Sequence, residues 1–139
     1  MSPLELVPPS DAVHTRTCVL WYDRLFYGVF VDGAEVSGDD ARENLAVILR
    51  LVKGHRAPVM VDLRRIRSQS AEARSVFAGH EATRVTLALA LLIDSPISRV
   101  LGNFYLGFNK PQTPSRLFNS VREADAWLRT FLEPEPTGD

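Results

Sequence analysis

The stretch VTLALALLID, Val85 to Asp94, decides the architecture. Alanine and leucine favour helix, whereas the length of the run and its valine and isoleucine ends suit a buried strand. Period separates the two. Val85, Leu87, Leu89, Leu91 and Ile93 recur at every second position with the smaller Thr86, Ala88 and Ala90 between them. A strand sorts that alternation onto two faces, and a helix scatters it around its axis. The spacing predicts a strand covered on both sides, whose small face lets a helix approach closely.

Upstream, TCVLWY and LFYGVFV are β-branched and aromatic runs split by Asp23 and Arg24, two strands of a hairpin. Ser37 with Asp40 three residues on gives a capping-box start. Ala41, Leu45, Ile48, Leu49 and Val52 follow at helical spacing, and Gly54 supplies a left-handed stop. PVMVDL, Pro58 to Leu63, reads as a short strand, and Ser70 caps a helix running through Ala71, Val76 and Phe77 toward Thr83.

Downstream, Ser95 and Pro96 open a helix whose apolar stripe is Ile97, Val100, Leu101, Phe104 and Phe108, ending near Gly107. After the loop NKPQTP, SRLF reads as a strand. Ser120 with Glu123 is a second capping-box pattern before Ala124, Trp127, Leu128 and Phe131. The order β-β-α-β-α-β-α-β-α is α/β: a mixed sheet of about five strands, an opening hairpin and about four helices, with right-handed crossovers.

Bulk properties bound the function. A chain of 139 residues is one domain, burying roughly two thirds of its unfolded surface. It is 45% hydrophobic and 24% charged, with no apolar run near the ~20 residues of a membrane helix. The net charge of -1 gives no global field for nucleic acid or an anionic membrane, so neither is expected as a partner. Pro3, Pro8 and Pro9 mark residues 1–15 as a loose arm, and EPEPTGD, residues 133–139, as a disordered acidic tail, leaving the domain at 16–132. The start MSPLELVPPS has no signal-peptide pattern and Cys18 has no second cysteine, which together point to the cytoplasm.

Between PVMVDL and its helix, VDLRRIRSQSAEAR places Arg64, Arg65, Arg67, Ser68, Ser70, Glu72 and Arg74 in one junction. Arginine grips phosphate bidentately and a helix start offers free N–H groups, so the junction reads either as a small anionic site or as a solvated face. In either case Ser70 is the helix cap.

The element order, with PVMVDL leading into a serine-bearing loop and helix, resembles the STAS superfamily of sulfate-transporter and anti-sigma-factor-antagonist domains. SRLFNSVREADAWL resembles the terminal strand and helix of its single-domain bacterial branch. The resemblance spans residues 16–132. It implies a partner-facing surface at the loop from Arg64 to Arg74, a regulatory protein partner, and a phospho-acceptor serine at the position nearest Ser70. This chain departs from the antagonist pattern at Gln69, where an acidic residue is expected, and at Ala71 and Glu72, where serine and glycine are expected.

Enzymatic chemistry finds little footing. His14, His55 and His80 lack the spacing of a zinc pair, and Cys18 in a strand reads as a small buried residue. Asp62 and Asp94 stand at strand ends, where sites form in open sheets, but also where turns need a carboxylate. Gly102 and Gly107 are followed by no Gly-Lys-Ser/Thr phosphate loop. Tyr105 and Leu106 fall off the apolar stripe and form a candidate exposed contact patch, at a homodimer surface or the lip of an apolar pocket. The expectation is a non-enzymatic regulatory interaction module without cofactor or metal, with a small-molecule binding domain for an anion, nucleotide or lipid-like ligand as the alternative.

Overall fold

Val13–His14 (β1) pairs antiparallel with Cys18–Asp23 (β2), which pairs antiparallel with Leu25–Phe30 (β3). This sheet is seen in a computed structural model that describes residues 6–109 and 113–132. The β2–β3 turn is so tight that Asp23 faces Leu25 across the ladder, leaving Arg24 alone in the left-handed region at φ 64°. Two residues of the segment expected as a loose arm therefore join the sheet. Thr15 anchors them: its hydroxyl donates to the Asn44 side chain and it also meets Cys18. The acidic tail, residues 133–139, and three residues of NKPQTP lie outside the described residues.

Glu35–Val36 (β4) leads into the helix Gly38–Val52 (α1). The capping box is complete: Ser37 Oγ accepts from Asp40 N, and the Asp40 carboxylate accepts from Ser37 N. Asp39 and Asp40 sit in the positive first turn and Arg50 in the negative last one. Lys53 and Gly54 then end the helix with successive positive φ values of 51° and 82°.

Ala57–Asp62 (β5) pairs parallel with β3, followed by Ser68–Gln69 (β6), Ala71–Phe77 (α2) and the single turn His80–Thr83 (α3). Thr86–Leu92 (β7) is the strand that the alternation predicts, and it pairs parallel with β5. Pro96–Asn109 (α4), Ser115–Phe118 (β8, parallel to β7) and Val121–Arg129 (α5) complete the chain. Ser120 Oγ caps α5 by accepting from Glu123 N.

The main sheet has six strands in the order β1-β2-β3-β5-β7-β8, antiparallel at the hairpin edge and parallel beyond it. Its two faces are packed differently. Leu25, Met60, Ala88, Ala90 and Leu92 meet Ala124 and Leu128 of α5, the close approach that the small residues of β7 permit. The other face, with Leu20, Phe26, Phe30 and Leu91, lies beneath the remaining helices. A second sheet of two short strands, β4 and β6 in parallel, stands apart from the first. Two-residue strands carry no periodic signal and were not expected.

Candidate functional site

The junction after β5 is stitched down by backbone. Arg65 O accepts from Gly33 N, Ala34 O accepts from Arg67 N and Ser68 N, and Val36 O accepts from Ser70 N. The pairing of β6 with β4 thus ties the loop to the segment before α1. Its charged side chains diverge. Arg64 folds back on the buried Asp62, with Nε at 3.0 Å from Oδ1 and Nη2 at 2.8 Å from Oδ2. Arg74 donates to Gln69 O at 2.8 Å and lies over the Phe104 ring, 5.4 Å from its centroid. Glu72 pairs with Arg42, which also holds Asp39. Arg65, Arg67, Ser68 and Ser70 are exposed.

Ser70 caps α2, its Oγ accepting from Ala73 N at 3.0 Å. The structure therefore holds Arg64 on Asp62 and Arg74 on Gln69 O, and among the described residues no guanidinium bonds the serine hydroxyl. Asp62 serves Arg64 and that residue's own N–H, a turn role. Asp94 stands apart from it, at the start of α4.

That helix is oriented differently from expectation. Ser98, Leu101, Gly102 and Tyr105 face inward, while Ile97, Val100, Phe104 and Phe108 are 49%, 66%, 37% and 56% exposed. Of the apolar stripe read from spacing, only Leu101 is buried. The expected contact patch is corrected as well: Tyr105 is buried and Leu106 half-buried. Small residues set the orientation. A Cβ on Gly102 would sit 2.7 Å from Leu117 Cδ2 and 3.3 Å from Ile93 Cγ2, so only this face lets α4 lie against β8 and the end of β7. Ser98 completes the fit by accepting from Asp94 N and Ser95 N at the helix start.

At 100° per residue, the outward stripe lies beside the buried one, about a quarter turn around the axis. The apolar arc of α4 is wider than the sheet can cover. Arg99 is the only charged residue on the helix.

Under the helices lies a third feature, a cavity of about 100 Å³. Its floor is the sheet, at Gly28, Val59, Val61 and Leu89, and its walls include Ile48 of α1 and Phe77 of α2. Gln69 and Tyr105 meet at its edge, where the Tyr105 hydroxyl donates to Gln69 Oε1 at 2.7 Å. Burial pushes the Tyr105 phenol up from its ordinary value. It also pushes the Cys18 thiol, on the same wall, up to about 12, which leaves it protonated and unreactive at neutral pH. Neither Gly28 nor Gln69 was singled out from sequence for this role. The available signal was a glycine in the middle of an otherwise bulky strand, LFYGVFV.

His14 of β1, His55 of the α1–β5 loop and His80 of α3 are exposed and far apart in the chain. Among the described residues, no three His, Cys, Asp or Glu side chains gather as metal ligands. Within the same residues no helix is long and apolar enough to cross a membrane.

Residues 20–132 match the profile of a domain of unknown function, DUF7793. The chain belongs to that family. No curated protein matches it. Among solved structures, this DUF7793 chain is similar to an uncharacterized DUF3478-family protein from Shewanella loihica PV-4 with a SpoIIAA-like fold. The two share 12% identity, with a TM-score of 0.62 over 87% of this chain and 99% of the other. At that identity the likeness concerns architecture, and it supports the STAS-like fold expected from the element order.

Proposed function

We infer that this DUF7793 chain is a non-enzymatic, regulatory protein-interaction module, and that its docking surface is the outward face of α4 with the adjoining strip from Ser68 to Arg74. One observation carries the reading: Ile97, Val100, Phe104 and Phe108 form a continuous exposed apolar stripe on a helix whose other apolar residues already satisfy the core. Single exposed apolar residues are ordinary, but a contiguous stripe on one helix is the feature of a contact site. Arg74 joins the two parts, spanning from Gln69 O to the Phe104 ring.

The chemistry describes the partner. Arg74 stands over the Phe104 ring of the stripe, and α4 carries no acidic residue. An apolar protein segment bordered by carboxylates fits this face, the apolar centre supplying affinity and the charges orientation. A switch by phosphorylation at Ser70 has in its favour the exposure of that residue and its position at the start of α2. Against it, Arg64 and Arg74 are held by Asp62 and Gln69. The apolar stripe therefore bears the reading.

The test compares complexes recovered by the native chain, by Val100→Lys with Phe108→Lys, and by Ser70→Asp, each shown folded by its thermal melt. Loss of one reproducible partner with the double lysine variant supports the docking face. Undiminished recovery refutes it. A native dimer that the same two lysines dissolve to monomer would replace the foreign partner with a second copy of this chain. Loss with Ser70→Asp alone would move the site to the serine.

A further inference from the structure

We propose that the cavity between the sheet and α1 to α4 is a binding site for a small, neutral, largely apolar molecule carrying one hydrogen-bond acceptor. Three independent features point to it. Gly28 occupies the middle of β3, where a glycine weakens a strand. Its φ is not positive, and a Cβ there would meet only Cys18 Sγ at 3.8 Å and Leu20 Cδ2 at 3.9 Å, ordinary contact distances. Neither backbone conformation nor close approach calls for glycine at this position. What its missing side chain leaves is room.

The second feature is the burial of the central strands. On the face toward α5, Pro58, Met60, Ala88, Ala90 and Leu92 are fully buried. On the opposite face, under four helices, Val59, Val61 and Leu89 of the same two strands are only partly buried. Central-strand residues beneath a helical layer are ordinarily among the most buried of a domain. All three line the cavity, and of the residues that these two strands give it only Leu91 is fully buried.

The third feature is polar. Gln69 is 7% exposed and lines the cavity, and its Oε1 is taken by the Tyr105 hydroxyl. Among the described residues its amide Nε2 has no hydrogen-bond partner. A buried donor without a partner is costly, and buried donors are nearly always satisfied. A ligand acceptor at this end would satisfy it, whether a carbonyl, ether or hydroxyl oxygen.

Size and charge narrow the class. A dry cavity of about 150 Å³ accepts benzene, so about 100 Å³ here suits a molecule smaller than benzene, a short chain of about five non-hydrogen atoms. Among the described residues, no Asp, Glu, Lys, Arg or His lines the space, which disfavours an ion. Ala82 and Thr83 of α3, with Thr86, form a partly exposed stretch of wall beside a one-turn helix and mark the way in. The site is separate from the outward face of α4.

Butanone and 2-methylbutane, equal in non-hydrogen atoms and differing in the acceptor, are the probes. Each is titrated into the native chain while the methyl resonances of Val59, Val61 and Leu89 are followed by NMR. The native chain is expected to show saturable shifts at all three residues with butanone. Gly28→Val, and the milder Gly28→Ala, fill the space, and should weaken binding in that order, by tenfold or more for valine. Gln69→Met should cut the preference for the ketone over the hydrocarbon by about 3- to 10-fold, the worth of one hydrogen bond. Absence of saturable shifts in the native chain, or equal binding by Gly28→Val, overturns the site. An unchanged ketone preference in Gln69→Met overturns the assigned acceptor contact.

Discussion

The Tyr105 hydroxyl and Gln69 Oε1, 2.7 Å apart and 36 residues apart in sequence, join the inward face of α4 to the short strand β6. Both residues are buried. Tyr105→Phe keeps the ring and removes the donor, so the glutamine carbonyl loses its side-chain partner. The expected loss is about 1 to 3 kcal/mol, read from urea unfolding. A phenylalanine variant as stable as the native chain would show that the bond contributes nothing.

The two faces of α4 should respond in opposite ways. Leu101→Ala removes a buried side chain and is expected to cost about 2 to 5 kcal/mol. Val100→Ser and Phe108→Ser act on the exposed stripe and should stay within about 0.5 kcal/mol of the native chain. Chemical denaturation of the three variants settles the orientation of the helix. Were Val100→Ser as damaging as Leu101→Ala, the stripe would be part of the core.

Acid should weaken the fold through Asp40. The Arg16 guanidinium bonded to it, with help from Ser37, holds its carboxyl at about 2 against an ordinary 3.8. The folded chain therefore binds that proton more weakly than the unfolded one. The resulting stability is present above the ordinary value and is lost as pH falls toward about 2. Arg16→Ala removes the main cause, so stability measured by denaturant from neutral to acid pH should fall less steeply across that window. An identical acid limb in native and variant would exclude the pair as its source.

Ser70→Ala should cost about 1 kcal/mol by leaving Ala73 N–H without its cap. Ser70→Asp should hold stability near native, because aspartate is an equally good cap at a helix start. Thermal melts of the two distinguish them. Equal losses would mean that the cap geometry is not what the hydroxyl supplies.

Much of the architecture was legible because its signals are local and periodic. The alternation of Val85 to Ile93 defines β7, and Ser37 with Asp40 defines the start of α1. The orientation of α4 was not legible, because its apolar arc is too wide to name one inner face. The choice was made by Ser98 and Gly102, whose smallness matters only against Leu117 and Ile93 of other elements. The arginine junction was misleading for a related reason. A run of guanidiniums states charge, but whether it converges depends on partners, and Arg64 found its own two residues back, at Asp62. A cavity is the least legible feature, since emptiness at Gly28 is decided by every neighbour that does not fill it.

The central claim is that the outward face of α4 meets a protein partner. Site-specific photo-crosslinking in the cell of origin reads this directly, with p-benzoylphenylalanine placed at Val100 and, as a control, at the exposed Ala126 of α5. A docking face predicts one discrete heavier product from Val100, absent from Ala126 and lost when Phe108→Lys is added. The same products from both positions, or none from Val100, would contradict it.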